Sequence, residues 1–169
     1  MELYRHQISA IQSAVTRRHI LIVRALGGGK TAIALHVAKK QIDNINGPVL
    51  LVGPAHLLNQ YCSEARKWEF KYDIHVLRTP LPARFDSDAC YCISYDMLRK
   101  HRDRLISERF PVVIVDEFQH GKNPDTNNAA VFAALRNSSN SFVGMTGAPF
   151  QNGPHEFFNL LSLISGQNL

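Results

Sequence analysis

Gly27-Gly28-Gly29-Lys30-Thr31 places three glycines directly before a lysine and a threonine. The five residues follow an apolar run, Ile20-Leu21-Ile22-Val23, and open an apolar-periodic stretch from Thr31 to Lys40. A strand, a glycine turn and a helix, in that order, can cradle the phosphates of a nucleoside triphosphate. The glycines free backbone N–H groups, and the helix N-terminus adds its own unpaired donors. Lys30 is then placed to reach the β- and γ-phosphates, and Thr31 to bind Mg²⁺ through its hydroxyl. The glycines alone would mark no more than a tight connection. The usual pattern also starts with a glycine separated by four residues from the Gly-Lys pair, and Arg24 holds that place.

An independent signal lies in Pro111-Val112-Val113-Ile114-Val115-Asp116-Glu117. Consecutive apolar β-formers read as a strand buried in a parallel sheet. Two carboxylates stand at its C-terminal end, where open α/β sheets bind their ligands. Alone they could be a helix cap and a first-turn acid. Paired with the glycine loop they read as the acidic half of an ATPase site. Asp116 is assigned to the metal, and Glu117 to orienting and deprotonating the attacking water.

These residues need a scaffold, and the chain supplies the elements for one. Its 169 residues suit a single domain spanning 1–169. A chain of this size buries roughly 70% of its unfolded surface, so no disulfide staple is required. Helix is expected from Arg5 to Val15, with Ile8, Ile11, Ala14 and Val15 facing the core, and again after the glycine loop, over Leu57–Trp68, Asp96–Glu108, Ala129–Leu135 and Glu156–Ile164. Strands are expected at 20–23, 49–52, 74–77, 91–94, near 112–115 and at 141–145. Arg78–Asp88 is the one long irregular connection. This alternation predicts an α/β domain of the RecA-like P-loop NTPase class, a parallel sheet with helices on both faces.

Composition narrows the partners. The formal charge of +5 favours a polyanion weakly. Arg99-Lys100-His101-Arg102-Asp103-Arg104 concentrates fixed positive charge, and by itself it reads first as a solvated helix face. The three cysteines, Cys62, Cys90 and Cys92, are odd in number and follow no secretory leader, which predicts an intracellular, reducing setting, cytoplasmic or nuclear. Cys90 and Cys92 alternate along one strand and read as core residues. No apolar run is long enough to span a bilayer, so no membrane partner is expected.

With the elements placed, the chain resembles the first ATP-binding lobe of superfamily 2 helicases, and within them the Swi/Snf-type DNA-dependent ATPases. The resemblance runs from about Leu3 to Gly166, with the motifs in the family's order. Leu3-Tyr4-Arg5-His6-Gln7 resembles the opening Leu-Arg-Pro-Tyr-Gln, which implies that Gln7 reads the adenine edge. Arg24–Thr31 stands where the family has Asp-Glu-Met-Gly-Leu-Gly-Lys-Thr. Pro54-Ala55-His56-Leu57-Leu58, with Gln60-Tyr61, parallels Pro-x-Ser-Leu-Leu-x-x-Trp. Ser94-Tyr95-Asp96-Met97-Leu98 parallels Ser-Tyr-Glu-Thr-Leu. Asp116–Asn123 parallels Asp-Glu-Ala-His-x-x-Lys-Asn. Thr146-Gly147-Ala148-Pro149-Phe150-Gln151-Asn152 parallels Thr-Gly-Thr-Pro-Ile-Gln-Asn.

The resemblance implies ATP and Mg²⁺ as cofactors, held by Gln7, Gly27, Gly28, Gly29, Lys30, Thr31 and Asp116. It implies catalysis by Lys30, Glu117 and Gln119, and coupling of ATP state to nucleic-acid grip through Thr146, Gly147 and Ala148. It places His56, Ser94 and Tyr95 near nucleic acid, DNA ahead of RNA, and draws Arg99, Lys100, Arg102 and Arg104 to the same role. Several residues depart from the pattern. Arg24 either binds phosphate or points to solvent. Gln119 replaces a His, though its amide can still bridge toward Thr146 or a γ-phosphate. Ala148 lacks a Thr hydroxyl, and His56 replaces a Ser/Thr. The family's second lobe, with its arginine fingers, has no counterpart, so slow hydrolysis is expected until a second lobe is supplied in cis or in trans. The alternatives are a non-enzymatic nucleotide- or DNA-binding module that partners a complete motor, and the lobe of an RNA helicase.

Overall fold

In the computed structural model, residues 2–25, 27–149 and 153–167 are described. Six parallel strands form one sheet: β1 (His19–Val23), β2 (Val49–Gly53), β3 (Asp73–Val76), β4 (Ala89–Ser94), β5 (Val112–Val115) and β6 (Ser141–Thr146), in the order β1-β6-β5-β2-β4-β3. The seven helices are α1 (Arg5–Thr16), α2 (Lys30–Ile45), α3 (Leu58–Lys67), α4 (Tyr95–Lys100), α5 (Arg102–Ser107), α6 (Asn127–Ser138) and α7 (Pro154–Ser165). Short 3-10 turns stand at Ala55–Leu57 and Phe118–Gly121.

The continuous apolar runs become strands because both faces of a parallel sheet are covered. Alternate residues feed two separate cores. Val49, Leu51, Cys90, Cys92, Val112 and Ile114 pack with α1, α2 and α3. Leu50, Val52, Tyr91, Ile93, Val113 and Val115 pack with α4 to α7. Helices therefore lie on both faces, as the alternation predicts. Cys90 and Cys92 are buried free thiols on one face of β4. Among the described residues no helix is long and apolar enough to cross a membrane.

Two local expectations are corrected. α1 buries Gln7, Ala10, Ile11 and Ala14, and Ile8 is exposed. The same i, i+3, i+4, i+7 stripe is present but turned by one residue, which lets small Ala10 and Ala14 approach α2 closely. The helix expected over Asp96–Glu108 is two helices broken at His101 (φ −114°, ψ 20°). Leu98 and Leu105 still both reach the core.

One packing device fixes the acidic segment. Phe118 is fully buried, stacking against Phe132 with ring centroids 5.5 Å apart and lying edge-on to Phe142 at 5.7 Å. A Cβ on Gly144 of β6 would stand 2.7 Å from the Phe118 ring, so that strand position has room only for glycine. Lys122 at the end of the turn pairs with Glu156 of α7 at 2.8 Å. A buried Phe contributes about 1.5–3 kcal/mol, so residues 117–121 are anchored on both sides.

Candidate functional site

The C-terminal ends of β1, β5 and β6 bring the phosphate loop, the acidic pair and the Thr146 block together. The loop turns through Gly27 and Gly29 at φ 79° and 72°, left-handed values that suit glycine. Gly29 then serves as N-cap of α2 with no side-chain cap, which leaves the first-turn N–H groups without side-chain partners. Leu26, inside the loop, lies outside the described residues, as do Phe150, Gln151 and Asn152 of the Thr146 block.

Lys30 is buried, and its Nζ lies 3.3 Å from Glu117 Oε1. Gln119 Nε2 donates to Glu117 Oε2 at 2.6 Å, and Thr146 Oγ1 donates to Gln119 Oε1 at 2.5 Å. The Ala148 N–H in turn donates to Thr146 Oγ1 at 3.2 Å. A continuous polar chain thus links Lys30, Glu117, Gln119, Thr146 and the Ala148 backbone. The amide of Gln119 joins the acidic segment to Thr146, as its chemistry allows. Glu117 itself is left-handed at φ 51°, an uncommon state for a residue with a side chain.

Asp116 is 3% exposed. Its Oδ1 accepts the Glu117 N–H at 2.9 Å, and its Oδ2 accepts the Tyr61 hydroxyl at 2.5 Å. Burial pushes its carboxyl above the ordinary range, and the Tyr61 hydrogen bond pulls the other way. Burial and the Asp116 charge together push the Tyr61 phenol well above its usual value.

Lys30, Asp116 and Glu117 face one cleft of about 390 Å³, lined also by Gln7, Gly27, Gly29 and Thr31 on one side and by Leu57, Gln60, Glu64 and Trp68 on the other. Gln7 is buried against the loop: a Cβ on Gly29 would sit 2.1 Å from its Nε2. Its Oε1 accepts the Tyr4 N–H at 2.9 Å. The Arg24 guanidinium donates to the His6 carbonyl at 3.2 Å, tying the loop to α1.

The hydroxyl of Thr31 and the carboxylate of Asp116 open on the same cleft and are hard oxygen donors, which suit Mg²⁺. Among the described residues no group of three or more His, Cys, Asp or Glu could hold a metal alone.

A second groove of about 700 Å³ adjoins the first and shares Leu57 and Glu117 with it. His56, Ser94, Tyr95, Arg99, Gln119 and Asn128 are among its lining residues. Ser94 caps α4 by accepting the Met97 N–H at 3.3 Å. Tyr95 is buried; its hydroxyl donates to the Asp116 carbonyl and, at 3.2 Å, to the Glu117 carbonyl. Arg99 pairs with Asp96 and donates to Asn128 Oδ1 at 2.9 Å.

The basic run does not act as a single patch. Lys100, Arg102 and Arg104 are not among the groove's lining residues. The Lys100 ammonium lies 3.4 Å from Thr79 Oγ1, and Arg102 pairs with Asp103 at 3.2 Å. Arg104 pairs with Glu108 and donates to the Ala83 carbonyl at 2.8 Å, pinning the Arg78–Asp88 connection.

Sequence reasoning missed the far wall of the nucleotide cleft and the two tyrosines on Asp116. The wall carried a faint signal: Leu57, Gln60, Glu64 and Trp68 recur at three- and four-residue spacing, which marks one helical face.

Solved structures share the fold. The Sulfolobus solfataricus SWI2/SNF2 ATPase core in complex with dsDNA superposes with a TM-score of 0.85 at 19% identity, covering 97% of this chain and 36% of that one. The UvsW helicase of bacteriophage T4 superposes at 0.74 and 13% identity, covering 96% and 57%. In sequence, the uncharacterized ATP-dependent helicase YqhH of Bacillus subtilis (strain 168) is 26% identical over 170 residues, 97% of this chain and 29% of the relative. The Drosophila melanogaster SWI/SNF-related matrix-associated actin-dependent regulator of chromatin subfamily A-like protein 1 is 27% identical over 150 residues, 88% of this chain and 20% of the relative. The chain thus spans less than a third of either relative's length. The SNF2-related domain matches residues 16–169, and with the RecA-like fold and the ordered motifs described above, the chain belongs to that family of helicase-type ATPase domains.

Proposed function

We propose that the chain is the ATP-binding motor lobe of a Swi/Snf-type DNA translocase, and that it needs a second RecA-like lobe for efficient hydrolysis. The observation that carries this reading is Glu117, which borders both the nucleotide cleft and the adjoining groove and sits in the polar chain from Lys30 to Thr146. A residue so placed can respond to occupants on either side.

In this reading the loop amides and the α2 N-terminus receive the phosphates of ATP. Lys30 exchanges Glu117 for phosphate oxygens, which frees the Glu117 carboxylate to orient water and accept its proton. Gln119 holds that carboxylate, and Gln7 offers its amide N–H groups to the adenine edge. Thr31 and Asp116 hold Mg²⁺, which when bound neutralises charge on the phosphates. DNA is the proposed partner because the Sulfolobus relative was solved on dsDNA. Its path would follow His56, Ser94, Tyr95 and Arg99.

Trp68, the chain's single tryptophan, lines the nucleotide cleft. Titration with Mg·ATP is expected to change its emission saturably, and Lys30→Ala to abolish the change. Absence of a saturable signal together with absence of calorimetric heat would overturn nucleotide binding.

Arg99 lines the groove and Arg102 does not, so their substitutions should part. Arg99→Gln is expected to lower the slope of log K against log salt by about 0.9 on duplex DNA. Arg102→Gln is expected to leave it unchanged. Equal effects would refute the groove as the DNA path, and tighter binding of duplex RNA in competition would favour the RNA-helicase alternative.

A further inference from the structure

We propose that Tyr61 is a positioning residue for the Asp116 carboxylate, and that its hydroxyl sets how tightly the lobe takes up Mg²⁺ with nucleotide. The proposal rests on the reading of Asp116 as the metal-side carboxylate. Tyr61 lies on α3, 55 residues from Asp116 in sequence, and is 1% exposed. Its hydroxyl donates to Oδ2 at 2.5 Å while the Glu117 N–H donates to Oδ1 at 2.9 Å. Both carboxylate oxygens are therefore held, and the side chain has one orientation before any ion arrives.

A Cβ on Gly53, at the end of β2, would stand 3.7 Å from Tyr61 Cε2 and 3.8 Å from Asp116 Cβ, so the strand end lies beside both residues. A second tyrosine completes the grip from the other side of the sheet. Tyr61 belongs to the core under α3, Tyr95 to the core under α4. Tyr61 fixes the Asp116 side chain, and Tyr95 fixes its carbonyl.

A carboxylate ligand fixed by a neighbour binds metal without first losing rotamer freedom, and removal of such a neighbour typically weakens metal affinity 10–100-fold. The bland alternative is that a buried phenol merely needs an acceptor. Ligand-free unfolding and Mg²⁺ uptake separate the two.

The test is calorimetric binding of ATP to the 169-residue protein across a Mg²⁺ titration, for wild type, Tyr61→Phe, Asp116→Asn and the double variant. Tyr61→Phe is expected to raise the half-saturating Mg²⁺ concentration about tenfold or more, with ATP affinity in EDTA unchanged. In the Asp116→Asn background the same substitution is expected to add nothing. If Asp116→Asn shifts the midpoint and Tyr61→Phe does not, Tyr61 is only structural. If Asp116→Asn shifts nothing, the reading of Asp116 itself fails. Loss of the fold on removal of this one hydroxyl would also assign Tyr61 a structural role and overturn the proposal.

Discussion

ATP turnover by this chain is expected to rise by about 10³–10⁵ when a second RecA-like lobe carrying an arginine finger is joined to it. The reasoning starts from the cleft. Its described walls are Gln7, the glycine loop with α2, the face of α3 and the residues that follow β5, and they carry Lys30 together with the carboxylates of Glu64, Asp116 and Glu117. In that setting Lys30 is the only cation described at the loop that faces the cleft, since the Arg24 guanidinium is turned to the His6 carbonyl. Charge building on the transferring phosphoryl group then lacks the second positive partner that phosphoryl transfer employs. The measurement is steady-state hydrolysis with saturating duplex DNA, for the chain alone, for the chain fused to a second lobe, and for the two mixed. A rate for the chain alone that matches the fusion would show the single lobe to be complete. Binding of nucleotide and DNA with no turnover in any arrangement would favour the non-enzymatic alternative.

Glu117→Gln in the two-lobed protein is expected to lower turnover by about 10²–10⁴, the usual contribution of a positioned general base. Nucleotide binding should survive. In the structure without nucleotide Lys30 is engaged by Glu117 at 3.3 Å, and the amide removes the charge of that competing partner. The Gln side chain can still accept from Gln119, so the polar chain to Thr146 is kept. The expected signature is therefore a fall in kcat with Mg·ATP affinity equal to or tighter than wild type. A variant turning over within about threefold of wild type would remove Glu117 from the proton-transfer role.

Much of this was legible because the chemistry stands at strand ends. Continuous apolar runs locate β1, β5 and β6, and Lys30, Asp116 and Thr146 stand at or beyond the C-terminal ends of those three strands. What was not legible depends on distant partners. Tyr61 and Asp116 are linked across 55 positions, and no local pattern announces a buried hydroxyl pointed at a carboxylate. Arg24 finds a backbone carbonyl 18 residues earlier, an acceptor every residue carries. The break at His101 was hidden because Leu98 and Leu105, seven residues apart, would share a face of an unbroken helix as well as of a broken one.

The place of β1 in the sheet has a mechanical consequence. Among the described residues β1 pairs with β6 alone, and the Arg24 N–H extends that pairing by one rung to the Thr146 carbonyl at 2.9 Å. The phosphate loop is thus a cantilever, carried on one neighbouring strand, tied to α1 through Arg24 and free of a strand on its outer flank. Its support is the same residue whose hydroxyl closes the polar chain to Glu117. Any displacement of Thr146 must either carry the root of the loop with it or give up a backbone hydrogen bond, at a cost of about 1 kcal/mol. A central strand, clamped on both flanks, would resist such a tilt; an edge strand yields, and the loop's stiffness is borrowed from the segment beside it.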